Sequence, residues 1–103
     1  MDSNQVKYFR QFFELDNLSS LNLSNNLIEK VEDAGKVLEY LETLDLSHNR
    51  LESLQHFSRY FPSVFALDLD DNEIVSCYEL KHLSRMSSLI DLSLQDNSCI
   101  SSS

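Results

Sequence analysis

LETLDLSHNRL, residues 41–51, decides how this chain folds. Leu44 and Leu46 flank the polar Asp45, an alternation of period two that sends both leucines to one face of a short strand. Asn49 follows where the chain must turn inward. The same pattern recurs without gaps as LSSLNLSNNLI from Leu18, VFALDLDDNEI from Val64 and LIDLSLQDNSC from Leu89. The starts lie 23, 23 and 25 residues apart. A unit this short cannot bury its own apolar face, so it has to stack on copies of itself.

All four segments fit L-x-x-L-x-L-x-x-N-x-L, with Val64 and Cys99 as mild substitutions. Pattern and period are those of leucine-rich repeats. The expected fold is therefore an α/β leucine-rich-repeat solenoid of four repeats over residues 18–103. Leu21 and Leu23, Leu44 and Leu46, Leu67 and Leu69, and Leu92 and Leu94 face the core from a curved parallel sheet on the concave side. Asn26, Asn49, Asn72 and Asn97 are expected inside, because a buried asparagine can satisfy backbone groups of its own and the adjacent repeat where leucine could not. The returning segments carry their own apolar spacing. Ile28, Val31 and Leu38 serve the first, and Leu51, Leu54, Phe57 and Phe61 the second. In the third, Ile74, Cys77, Leu80, Leu83, Met86 and Leu89 recur every three residues, which predicts short helical or 3₁₀ turns on the convex side, with Cys77 as a small core residue.

The two ends read differently. Val6, Phe9 and Phe13 fall on one helical face with Tyr8 and Phe12 beside it, so residues 1–17 are expected to form a capping helix over the first repeat. An aromatic docking helix is the alternative. After Asn97 the chain runs SCISSS, too short and polar for a second cap, which suggests a fragment of a longer protein. An uncapped end would also offer a route to weak self-association.

The chain has 103 residues, 42% of them hydrophobic, enough for one modest core. Its net charge of −9 repels phosphate backbones and anionic lipid heads, which argues against direct nucleic-acid binding or membrane insertion and favours basic protein partners. The opening MDSNQVKYFRQFF has no apolar run of the kind a secretion leader needs. Two cysteines do not make a disulfide framework, so a reducing, cytoplasmic setting is expected, with the nucleus as alternative.

The four motifs, together with ELKHLSRMSSLIDLSLQDN from Glu79, resemble the short intracellular class of leucine-rich repeats. That class includes a protein-phosphatase-one regulator, the spliceosomal A-prime protein, acidic nuclear phosphoproteins, an axonemal dynein light chain, and centrosomal and ciliary proteins. Messenger-RNA export factors are a looser match. The resemblance covers residues 18–99 and implies a curved module whose concave face binds protein: an adaptor or scaffold in a centrosomal, ciliary or cytoskeletal assembly. The alternative is a regulatory subunit of a phosphatase or of a ribonucleoprotein or RNA-export complex. The class usually ends in Asn-Pro followed by a capping tyrosine; here Asn97 is followed by Ser98 and no tyrosine.

Between its core leucines each repeat is expected to expose five concave positions. These are Ser19, Ser20, Asn22, Ser24 and Asn25 in the first and Glu42, Thr43, Asp45, Ser47 and His48 in the second. The third gives Phe65, Ala66, Asp68, Asp70 and Asp71, and the fourth Ile90, Asp91, Ser93, Gln95 and Asp96. None of the twenty is Lys or Arg, and seven are Asp or Glu. Like charges on neighbouring strands destabilise a sheet, so their gathering on one face suggests use; plain solvation is the competing explanation. Phe65 and Ile90 hold the same position in adjacent repeats, where packing calls for no apolar residue. An apolar pair beside acids resembles a hot spot with a polar rim. The expected partner-binding set is Glu42, Asp45, His48, Phe65, Asp68, Asp70, Asp71, Ile90, Asp91 and Asp96, facing a basic, partly apolar protein segment.

No catalytic, metal or cofactor constellation accompanies this surface. Asp68-x-Asp70-x-Asn72 with Glu79 at the twelfth place imitates a calcium loop, but Glu73 stands where the loop needs glycine, and the repeat register puts Asn72 inside and Asp68 outside. His48, His56 and His82 lack partners at zinc-ligand spacing. One glycine in the whole chain argues against a nucleotide cradle, and no serine sits in a nucleophile motif. Asn17 and Asn22 match the glycosylation pattern, which counts only in a secreted chain.

Overall fold

The computed structural model describes residues 18–31 and 37–101. The expected capping helix over residues 1–17 lies outside them. Four three-residue strands, β1 (Ser20–Asn22), β2 (Thr43–Asp45), β3 (Ala66–Asp68) and β4 (Asp91–Ser93), make one parallel sheet in the order β1-β2-β3-β4. The register follows the repeat. Leu21 pairs with Leu44, Leu44 with Leu67, and Leu67 with Leu92.

Parallel pairing extends past both strand ends, and it does so identically in each repeat. Before the strands, the Phe65 N–H donates to the Glu42 carbonyl at 2.9 Å and the Ile90 N–H to the Phe65 carbonyl at 2.9 Å. After them, the Leu23, Leu46 and Leu69 N–H groups donate to Asp45, Asp68 and Ser93 carbonyls at 2.8, 2.9 and 2.8 Å. Repeating the same bonds from one unit to the next lets segments with three-residue strands act as one sheet.

Behind the sheet lies a continuous apolar core from Leu21 to Cys99, with Leu23, Leu46 and Leu69 fully enclosed. On the convex side the second repeat returns through α1 (Phe57–Tyr60) and the third through a 3₁₀ helix over Cys77–Arg85. The longer helix takes up the wider spacing between the third and fourth repeats. Its start is set by Ser76, whose hydroxyl accepts from the Tyr78 N–H at 3.2 Å. Phe57 and Phe61 meet edge to face at 5.2 Å between ring centres and are fully buried. Glu79 joins the two convex segments, its Oε1 accepting from the Leu54 N–H at 2.9 Å. A short helix, α2 (Ser98–Ser101), follows Asn97.

Two expectations about the core fail. Leu92 is 38% exposed, whereas Leu21, Leu44 and Leu67 at the same repeat position are buried. β4 is the outer strand of the described sheet, so no following repeat covers its leucine, and Leu94 is only partly buried. Cys77 is exposed, not a core residue. The first residue of the 3₁₀ helix stands on its outer side, and Leu83 and Met86 supply the inward contacts.

Candidate concave interaction face

The inward asparagines build the frame that holds this face. The Asn49 amide donates to the carbonyls of Leu23 at 2.9 Å, Leu46 at 3.0 Å and Ser47 at 3.2 Å, while its oxygen accepts from the Ile28 N–H at 3.1 Å. Asn72 and Asn97 repeat this set one unit further on each time. Each of these three asparagines ties its own turn to the preceding repeat. They fix where the strands end and therefore where the concave side chains begin.

The residue before each of the four inward asparagines, Asn26 included, has a left-handed backbone. The φ values are 61° at Asn25, 57° at His48, 54° at Asp71 and 61° at Asp96. Asn, His and Asp are the non-glycine residues that tolerate this region best, so the polar character of the position has a backbone cause. The signal is present in the sequence as Asn, His, Asp and Asp at one repeat position, but polar residues there read equally well as side chains that simply face water.

The middle of the face is a groove of about 360 Å³ along the strands, lined on successive strands by Ser20, Thr43, Ala66 and Asp91 and by Asn22, Asp45, Asp68 and Ser93. Of the expected partner-binding residues it collects only Asp45, Asp68 and Asp91. Glu42, Phe65 and Ile90 stand outside it, just ahead of the strands. His48, Asp70, Asp71 and Asp96 stand on the opposite rim, where the chain turns inward. The face therefore has three zones: an entry rim with two apolar side chains, an acidic groove, and a polar exit rim. Phe65 is 40% exposed and Ile90 86%.

Several concave side chains have internal work that spacing alone did not reveal. Asn22 Oδ1 accepts from the Ser24 N–H at 2.9 Å and the Ser24 hydroxyl at 2.7 Å. Asp45 does the same for Ser47 at 2.9 and 2.6 Å, and Asp68 accepts from the Asp70 N–H at 3.0 Å. These are Asx turns, which reward a short side-chain oxygen and work with or without charge. Ser24 and Ser47 are consequently buried, contrary to the expectation that both face solvent. Repeat four lacks an Asx residue at this place. There Asp70 reaches across, its Oδ1 accepting from the Ser93 hydroxyl at 2.5 Å and the Gln95 N–H at 2.8 Å. Part of the acidity thus serves the turns, while Glu42, Asp91 and Asp96 are exposed.

Charge on the face is coupled. Burial raises the Asp68 carboxyl above its ordinary range; the Asp70 N–H and His48 oppose this, and Asp45 and Asp70 add to it. His48 Nδ1 lies 2.7 Å from Asp71 Oδ2. That hydrogen bond is the main reason the imidazole holds its proton above the usual pH; burial opposes it, and the charges of Asp71, Asp68 and Asp45 each add a smaller push upward. A histidine whose folded pKa is raised adds stability that is complete below its unfolded value near 6.5 and is lost as pH rises through the folded value. Thermal melts from about pH 5.5 to about pH 8.5 are thus expected to show a small fall in stability through neutrality. His48→Gln should remove that fall; a difference between variant and wild type that does not change with pH would refute the coupling.

Asp68 and Asn72 lie on opposite sides of the chain, with Asn72 spending its amide on backbone carbonyls and Glu79 bound to Leu54. The calcium-like spacing is therefore not drawn together into a loop.

Residues 16–74 match a family model described as leucine rich repeat. No curated protein matches the chain. The matched stretch covers more than half of the sequence, and the fourth strand continues its register beyond it. Such repeats are generally protein-interaction modules rather than enzymes. With the repeat register, the sheet and the family match in agreement, this chain belongs to the leucine-rich-repeat family.

Proposed function

We propose that this module binds a basic, partly apolar protein segment laid across repeats two to four of its concave face. The observation that carries the reading is the exposure of Phe65 and Ile90 side by side on the entry rim, bordering an acidic groove. Neither side chain is needed by the core. An apolar anchor bordered by charge is the usual composition of a binding hot spot and its rim. A segment crossing the strands would set an apolar side chain on Phe65 and Ile90. Its Lys or Arg side chains would meet Asp45, Asp68 and Asp91, and beyond them Asp71 and Asp96. The resemblance to short intracellular repeats supports a cytoplasmic adaptor in a centrosomal, ciliary or cytoskeletal assembly. A phosphatase or ribonucleoprotein regulator remains the second reading of the same face.

The test uses peptides that combine Lys and Leu, with Lys-only and Leu-only peptides as controls, titrated by fluorescence anisotropy. The mixed peptide is expected to bind best and to weaken as salt is raised. Phe65→Ser with Asp68→Asn should weaken it by about tenfold or more, the loss of one hot-spot interaction, while Tm changes little. Asn22 already performs the Asp68 turn without charge, so Asp68→Asn should leave the backbone in place. Equal affinity for the double variant and the wild type would sink the proposal.

A further inference from the structure

The exposed Cys77 begins the 3₁₀ helix, and its thiol donates to the Cys99 carbonyl at 3.0 Å. Cys99 is buried on α2, two residues beyond the inward Asn97. The two segments are clamped together just ahead of the cysteines. The Ile74 N–H donates to Asn97 Oδ1 at 3.2 Å, and the Cys99 N–H donates to the Ile74 carbonyl at 3.1 Å. The Cys77 sulfur thus lies against the Cys99 backbone itself. We propose that Cys77 and Cys99 form an oxidisable dithiol, a modification site at which a hydroperoxide is reduced while a disulfide closes between the third repeat and the end of the fourth.

The two thiols have different environments, and that assigns their order. Burial first, and then the neighbouring Cys77 thiol, push the Cys99 thiol above its ordinary range, which keeps it protonated and slow to react with a solute. Cys77 stands in solvent and meets the oxidant first. Its thiolate sulfur attacks one peroxide oxygen. The S–O bond forms, the O–O bond breaks, and hydroxide leaves to become water with the Cys77 proton. The Cys99 sulfur then attacks the Cys77 sulfur. The S–S bond forms, the S–O bond breaks, and the departing hydroxide takes the Cys99 proton as a second water. Two thiols and one hydrogen peroxide thus become one disulfide and two waters, with each sulfur giving up one electron. The clamp and the hydrogen bond from the Cys77 thiol to the Cys99 carbonyl hold the Cys77 sulfur beside Cys99, where a disulfide can close. The bond would secure the end of the sheet where Leu92 is exposed.

The experiment treats the full chain with hydrogen peroxide, blocks remaining thiols, and maps tryptic peptides without reduction. Lys81 and Arg85 lie between the two cysteines, so cleavage separates them unless they are linked. The expected product is a monomer with a Cys77–Cys99 link, lighter by two hydrogens, reversed by a thiol reductant and with a Tm raised by several degrees. Cys77→Ser, at an exposed position, should keep the reduced Tm and show no rise with peroxide. Cys77 oxidised to sulfinic or sulfonic acid, or cross-linked to another chain, with Cys99 still a thiol would overturn the proposal. A peroxide-induced rise in Tm that persists in Cys77→Ser would overturn it too.

Discussion

Asn72→Ala is expected to destabilise the protein by about 3 kcal/mol or more, although it removes no apolar surface from the core. The asparagine oxygen accepts from the Leu51 N–H at 2.9 Å, and its amide donates to the Leu46 and Leu69 carbonyls at 3.0 Å each and to the Asp70 carbonyl at 3.2 Å. Asn72 is itself buried, so these backbone groups sit where water reaches them poorly. Removing the side chain costs the desolvation of each group left without a partner, roughly 1–3 kcal/mol apiece. Asp would not rescue the site, because it loses both N–H donors and brings a charge among carbonyl oxygens. Leu46 and Leu51 belong to the second repeat and Leu69 to the third, so the loss falls on the junction between repeats. In a solenoid that junction is the unit of cooperativity. Urea unfolding followed by circular dichroism should show a lower midpoint and, if the two halves uncouple, a smaller slope. Glu52→Gln, on the exposed convex side, serves as the comparison and should shift the midpoint little. Near-equal midpoints for Asn72→Ala and Glu52→Gln would show that the asparagine column does not hold the repeats together.

Phe57→Ala is expected to cost about 3–5 kcal/mol. Phe57 is fully buried at the start of α1 and meets Phe61 edge to face. Truncation removes the transfer free energy of the ring and leaves a cavity between the convex helix and the sheet. The helix is one turn long and closes with the Phe61 N–H donating to the Phe57 carbonyl at 3.0 Å, so it has little stability of its own to resist collapse or fraying. Against a typical total of about 5–15 kcal/mol, this loss would unfold a large share of a small domain at 37 °C. Phe57→Leu keeps most of the volume and should cost much less. Tyr78→Ala, on the exposed side of the 3₁₀ helix, removes a ring of similar size from solvent and should leave Tm almost unchanged. Equal Tm losses for Phe57→Ala and Tyr78→Ala would contradict the assignment of the convex core.

Much of this architecture is legible in the amino-acid sequence. The alternation of Leu44, Asp45 and Leu46, repeated three more times at a steady spacing, specified strand, face, parallel register and inward asparagine together. It could do so because each repeat meets only its neighbours, which turns a tertiary problem into a local one. Residues with no counterpart in the other repeats were harder. Cys77 kept the three-residue apolar spacing of the third convex segment but stands on the outer side of the helix. A 3₁₀ turn eclipses residues three apart, so small differences in where the helix starts decide which of them face in. Leu92 fitted the pattern perfectly, yet the pattern describes a residue covered by a following repeat, and none covers it among the described residues.

The concave face shows the same division. Repeat position indicated which residues share that face, Ser24 and Ser47 excepted, and that none of them is Lys or Arg. It could not separate acids placed for solvent from acids placed for turns, because the Asx bonds of Asp45 and Asp68 and the reach of Asp70 to Ser93 and Gln95 depend on oxygen positions to within a fraction of an ångström. Nor could it foresee that Phe65 and Ile90 stand on a rim beside the groove. The sequence by itself determined the period, the strand register and the sign of the face, since these follow from side-chain alternation and charge. Only the tertiary structure decided exposure at the sheet's outer strand, the internal work of the aspartates and the meeting of Cys77 with Cys99. Those depend on which neighbour happens to stand beside a residue, and a repeat carries no information about its own ends.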